Sequence, residues 1–213
     1  MVKRGIGSVV IVLGILCLVG AVLLTVFNIR TDTAAFEANS DILEKLRAAE
    51  PDEYVEQPTT SDVEIIPESI IPQQTVDVPV EAKVEVDGND YIGTIAFPVF
   101  GLELPVMDEC TNDSIAVAPG RYAGSVEEGG FVIGGHNYVS HFGRLNRLKP
   151  GNEIIFTDVN DNAILYEVFG AEVIDGTAID LLVTDEWDLS LFTCTFSGSQ
   201  RYVVRCMKAE PEK

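Results

Sequence analysis

The sequence predicts a small all-β domain, a barrel or sandwich, carried on one N-terminal membrane-spanning helix. Three observations predict it. An apolar run from Val9 to Phe27 is followed by an acidic, proline-bearing stretch, and beyond Tyr91 short apolar runs alternate with turn residues to the end of the chain. Many short strands with few long helical patterns suit a closed or sandwiched sheet.

Residues 1–7 are expected in the cytoplasm and residues 8–28 as the anchor, because about twenty apolar residues cross a bilayer as a helix. Lys3 and Arg4 precede the run, whereas only Arg30 follows it before the chain turns acidic, so the positive-inside bias sends everything after residue 28 out of the cell. A cleaved signal peptide is the alternative, and Ala34 to Ala38 offers only a poor cleavage site for it.

Residues 29–90 are expected to be an extracytoplasmic tether, rich in Asp and Glu and poor in aromatics. Within it, Phe36, Ile42, Leu43 and Leu46 allow a short helix over Ala34 to Ala49, and Pro58, Pro67, Pro72 and Pro79 favour an extended spacer. The folded domain is expected over 91–213. Its predicted strands are Gly93 to Val99, Leu102 to Val106, Gly130 to Gly134, Glu153 to Thr157, Ala163 to Ile174, Ser190 to Thr195 and Tyr202 to Met207. Short helical turns are expected at Ser114 to Ala116 and Gly143 to Leu148.

A net charge of -20 excludes strong binding to a nucleic-acid backbone, which needs clustered Lys and Arg. Four dispersed cysteines are too few for a disulfide framework, and no spacing suggests zinc. His136 and His141 are the only histidines, so any His-dependent chemistry has two candidates.

The last hairpin is the most informative stretch. With Ser197 and Gly198 as a two-residue turn, Cys194 stands directly opposite Arg201, and directly opposed residues share a face of the sheet. Arg205 has the same parity but falls opposite Ser190, about 13 Å further along. A cation beside a thiol favours the reactive thiolate, and a histidine nearby can take the proton and return it to a leaving amine. His136 ends the apolar stretch Phe131-Val132-Ile133, after Gly134 and Gly135, whose missing side chains let a backbone lie near substrate. His141 is the lesser candidate. A cysteine in a strand is more often plain core; the combination is what points to catalysis.

Ser190-Leu191-Phe192-Thr193-Cys194 resembles the Thr-Leu-x-Thr-Cys signature of the sortase family, with Ser for the first Thr, and Arg201-Tyr202-Val203-Val204 resembles the arginine strand that follows it. Gly134-Gly135-His136-Asn137 resembles the histidine segment. Ile92-Gly93-Thr94-Ile95, Leu104-Pro105-Val106 and Ala118-Pro119-Gly120-Arg121-Tyr122 are similar to earlier family segments, so the resemblance covers Tyr91 to Lys208. It implies an eight-stranded sortase-type β-barrel that cuts a Leu-Pro-x-Thr-Gly-like sorting signal between Thr and Gly. The acyl group would sit on Cys194 and pass to an amine of a cell-wall precursor or a pilin, anchoring surface proteins to the wall.

By the same resemblance His136 exchanges the proton, Arg201 supports the substrate or oxyanion, and Thr193 assists substrate binding through its hydroxyl or backbone. No cofactor is implied beyond the calcium that some relatives bind; Asp108, Glu109, Glu127, Glu128, Asp185 and Glu186 are candidates, with loop solvation the plainer account. The absence of Asp-Pro and Trp from residues 31 to 90 disfavours the lid of pilin-polymerising enzymes. Other readings are a pilin polymerase, an endopeptidase that transfers to water, and a non-catalytic membrane-tethered binding module. Cys110 falls in a polar loop, and Cys206 faces away from Cys194 by parity.

Overall fold

The computed structural model describes residues 2–49 and 82–209, so the spacer with Pro58, Pro67 and Pro72 lies outside the described residues. The chain begins with α1, Val2–Ala48. The spanning segment and the short juxtamembrane helix expected separately are one continuous helix. Residues 28 to 48 contain neither Gly nor Pro, so nothing in the sequence breaks it before its end at Ala48. Lys45 and Arg47 in its last turn complement the negative end of the helix dipole. Its first part is long and apolar enough to cross a membrane and is unburied by protein.

Among the described residues nine strands follow: β1 Val84–Val86, β2 Asn89–Phe97, β3 Leu102–Met107, β4 Gly120–Ser125, β5 Gly129–Gly134, β6 Glu153–Asp158, β7 Ala163–Asp175, β8 Leu189–Cys194 and β9 Gln200–Lys208. Their order is β1-β2-β3-β4-β5-β8-β9-β7-β6, and β6 pairs back onto β2, so eight strands close a barrel and β1 is an added edge. Closure removes the unpaired edges that an open sheet would leave. The sheet starts at Val84, seven residues before the expected boundary at Tyr91.

All seven predicted strands form. The sequence reading missed β1 and β4, and β4 explains why: Gly120-Arg121-Tyr122-Ala123-Gly124-Ser125 has no apolar run, breaks register with β5 twice, and meets β3 at one position, Met107 opposite Gly120. The expected turn at Ser114–Ala116 is a 3-10 helix, and the one expected at Gly143 to Leu148 is a 3-10 helix over Phe142–Arg147. A further short helix, α2 Ile179–Leu182, was not anticipated.

The barrel interior is filled by fully buried side chains such as Ile95, Leu104, Phe131, Phe156, Tyr166 and Leu191, with Phe131 and Phe156 edge to face at 5.1 Å. A second cluster, Val132, Ile174, Leu182, Phe192 and Val203, lies on the other face of β5, β8 and β9 under α2. Burial on both faces explains why Phe131-Val132-Ile133 and Leu189-Ser190-Leu191-Phe192 read as nearly continuous apolar runs. The C-terminal part of α1 docks on the barrel. Ile42, Leu46 and Ala49 pack against Val84, Val86, Tyr91, Met107 and Ala118, while Lys45 pairs with Asp87 and Arg47 with Glu103, both at 2.6 Å.

Candidate active site

Strands β8 and β9 pair antiparallel with Cys194 directly opposite Arg201. The register is the expected one, but the turn is not. Gly198 N–H donates to Thr195 O at 2.9 Å, so Phe196 and Ser197 form the centre of the turn and Gly198 follows at φ 74°, the left-handed conformation a glycine adopts without cost. Phe196 is thereby thrown out at the tip, fully exposed. The Arg201 guanidinium folds back on the hairpin, donating from Nη1 to Gly198 O at 3.0 Å and Gln200 O at 3.2 Å.

His136 leaves the neighbouring strand. Strands β5 and β8 run parallel with Gly134 beside Phe192, and Gly135 N–H donates to Phe192 O at 3.0 Å. Two residues past that pairing each chain carries its candidate, so His136 and Cys194 follow neighbouring strands at the same end of the barrel. Among the described residues no hydrogen bond joins them. Asn137 N–H donates to His136 Nδ1 at 3.0 Å and Asn137 Oδ1 stands 3.2 Å from the same nitrogen, so Asn137 holds the orientation of the ring. Tyr138 stacks on the imidazole at 3.9 Å and 6°.

Gly134 and Gly135 do not open the backbone to a ligand, as had been expected; they make room for packing. A Cβ at Gly134 would lie 2.6 Å from Cys110 Sγ and from the Phe192 ring, and one at Gly135 2.5 Å from Phe142. His141 is buried rather than in an open polar loop, with its Nε2 accepting from Asn39 Nδ2 of α1 at 2.7 Å. Burial first, then the charge of His136, pull its pKa down to about 4. Asp32 of α1 also accepts the Ser140 N–H at 2.8 Å, so the helix holds the whole loop that carries His136.

Beside Cys194 lies a pocket of about 180 Å³ lined by Arg201, Tyr122, Phe192, Ile174, Leu182 and Cys110 among others. Its wall formed by α2 is fastened by Arg205, which is buried: Nε donates to Glu172 at 2.9 Å, Nη1 to Leu182 O at 3.1 Å and Ser190 Oγ at 2.9 Å, and Nη2 to Leu181 O. Arg205 opposite Ser190 is thus a structural tie, and the serine in place of the family's first threonine is its acceptor. Cys110 and Cys206 are both pushed up by burial, to about 11 and about 12. Cys206 sits in the barrel interior, on the face away from Cys194.

Thr193 is one residue off the Cys194 face. Its side chain is buried and its Oγ1 has no hydrogen-bond partner. Of the acids considered for calcium, Asp108 is engaged by Arg121 and by Lys83. Among the described residues no group of three or more His, Cys, Asp or Glu gathers to hold a metal ion. Sequence reasoning named Tyr122 only as part of the segment from Ala118 to Tyr122 and gave Leu182, Asp32 and Asn39 no role. For Asn39 the signal was helical spacing in residues 34 to 49, which did not reveal a docking partner.

Comparison with known proteins fits this geometry. The family model described as the sortase domain matches residues 95–209, more than half of the chain. The chain is 27% identical over 185 residues to sortase A of Bacillus anthracis, covering 79% of this chain and 81% of that protein. Its fold is similar to sortase A from Corynebacterium diphtheriae, with a TM-score of 0.52 and 24% identity over 58% of this chain; it spans 63% of the length of that chain. A sortase D5 transpeptidase of Clostridium perfringens gives a TM-score of 0.51 and 25% identity over 57% of this chain and 81% of that one.

Proposed function

This chain belongs to the sortase family, and we propose that it is a membrane-anchored cysteine transpeptidase that acts outside the cell on a Leu-Pro-x-Thr-Gly-like sorting signal. The observation that carries the proposal is the pairing of Cys194 with Arg201 beside the strand end that delivers His136.

In the proposed reaction the Cys194 sulfur attacks the Thr carbonyl carbon. A C–S bond forms as the C–N bond to Gly breaks, and the proton that His136 has taken from the thiol passes to the departing amine. An acceptor amine then attacks the thioester, forming a new amide and releasing the thiol. Arg201 donates toward the carbonyl oxygen as negative charge develops there, where a fixed donor contributes most. The hairpin carbonyls of Gly198 and Gln200 hold its guanidinium in advance. Thr193 assists through its backbone at the base of this mouth, and the apolar wall of Tyr122, Phe192 and Leu182 suits the apolar residues of the signal.

The N-terminus is cytoplasmic and the barrel extracellular, a topology supported by Lys3 and Arg4 before the apolar part of α1. The partners are surface proteins bearing the signal, with a wall precursor or pilin amine as acceptor. Opposition of Cys194 and Arg201 on one face favours this reading over a non-catalytic module.

Incubation with a sorting-signal peptide and trapping of the acyl-enzyme tests it. A thioester mass should appear on Cys194 and vanish in Cys194→Ala; full turnover by Cys194→Ala would remove Cys194 from the mechanism. Products formed with added amine separate transfer from hydrolysis.

A further inference from the structure

The end of the barrel that carries the site is the end nearest the apolar part of α1. Strands β5 and β8 finish there, at Gly134 and Cys194, and so does β2, at Phe97. The first docked residues of the helix meet that end: Asp32 accepts from Ser140 N–H, and Thr33 and Phe36 face Phe100 and Gly101. Later residues meet the other end, where Lys45 pairs with Asp87 in the turn between β1 and β2.

Helical rise converts this order into height. At 1.5 Å per residue, Asp32 stands about 7.5 Å and Asn39 about 18 Å beyond Phe27, the last residue of the apolar run. Headgroups occupy roughly 5 to 7 Å on each side of a bilayer's hydrocarbon core. Ser140 is therefore tied at the outer limit of that layer. Three of the exposed apolar side chains of this end, Val99, Val139 and Phe196, project from separate turns, and Phe196 does so from the β8–β9 hairpin, across the barrel from the helix.

We infer that the catalytic mouth faces the bilayer, with Val99, Val139 and Phe196 seated against the lipid headgroup layer and α1 acting as a strut that fixes this pose through Asp32 and Asn39. Substrate and acceptor are then met at the membrane surface rather than in the bulk. The inference rests on the reading of α1 as the anchor and of Cys194 as the site.

The full chain in phosphatidylcholine–phosphatidylglycerol vesicles, with and without brominated acyl chains, tests it. Trp187, the only tryptophan, packs on Phe169 near the start of β8, at the far end, and is the internal control. A second protein carries Trp187→Phe with Phe196→Trp. Its indole should be quenched severalfold more than Trp187 of the native chain, and adding Asp32→Ala and Asn39→Ala should reduce that quenching. Equal quenching at the two positions, or stronger quenching of Trp187, overturns the orientation; quenching unchanged by the α1 substitutions overturns the strut. Thioester capture measured on the same vesicles reports the chemistry separately, so loss of one leaves the other standing.

Discussion

At the scale of single residues, the four cysteines differ by surroundings rather than by sequence. Cys110 and Cys194 line one pocket, yet burial pushes the Cys110 thiol up to about 11. Cys206, sealed in the barrel interior, is pushed to about 12. A thiol at 11 is ionised only about one part in ten thousand at pH 7. An electrophilic peptide mimic should therefore modify Cys194 at neutral pH and spare Cys110 and Cys206, with Cys110 reacting only as the pH approaches 11. Peptide mapping after labelling checks this, and modification of Cys206 first would count against the enzyme reading.

At the scale of elements, the walls of the site are positioned by contacts that are not themselves chemistry. Arg205 satisfies the Leu181 and Leu182 carbonyls at the end of α2 and is received by Ser190 and Glu172. Replacing it by Met should cost about 1.5 to 3 kcal/mol, typical of a lost charged hydrogen bond. Because Leu182 and Ile179 line the pocket, KM for the peptide should rise more than kcat falls; Ser190→Ala should do the same more weakly.

The contact between α1 and the His136 loop is pH-sensitive. His141 binds its proton only near pH 4 when folded, against 6.5 when free, so the unfolded chain holds more protons between these values. Its contribution is present above about pH 6.5 and is lost as pH falls toward 4, amounting to about 3 kcal/mol across the window. Thermal melts of the full chain in detergent should fall over that range, and His141→Gln should flatten the slope.

These elements also mark how far the sequence could be read. Opposition of Cys194 and Arg201 follows from hairpin parity, a local rule that survived a mistaken turn because the observed loop, residues 196–199 closed by Thr195 and Gln200, has the same midpoint as the expected turn at Ser197 and Gly198. The nearness of His136 depends on parallel pairing of strands almost sixty residues apart, which periodicity does not encode. Strand β4 was hidden by its glycines and broken register, and the docking face of α1 by residues 39 to 46, which read equally well as a free amphipathic helix.

At the scale of the molecule, α1 carries the apolar stretch proposed as the anchor and is also part of the folded body. Ile42 and Leu43 are buried, and Val84, Val86, Met107 and Ala118 lose their cover when the helix is absent. Burying an aliphatic side chain fully contributes about 1.5 to 3 kcal/mol, so the docked segment stabilises the barrel by several kcal/mol beyond its ion pairs with Asp87 and Glu103. Exposed pairs of that kind contribute under about 1 kcal/mol each. A chain beginning at Arg30 keeps the docked helix, whereas one beginning at Glu56 removes it and uncovers an apolar patch beside β1. The shorter chain should melt at least about 5 °C lower, the shift expected for 2 kcal/mol or more in a domain of this size, and should bind a hydrophobic dye that the longer one excludes. It should also lose activity through the freed His136 loop, since Asp32 and Asn39 leave with the helix. Equal melting temperatures for the two chains would mean that the helix merely lies along the barrel.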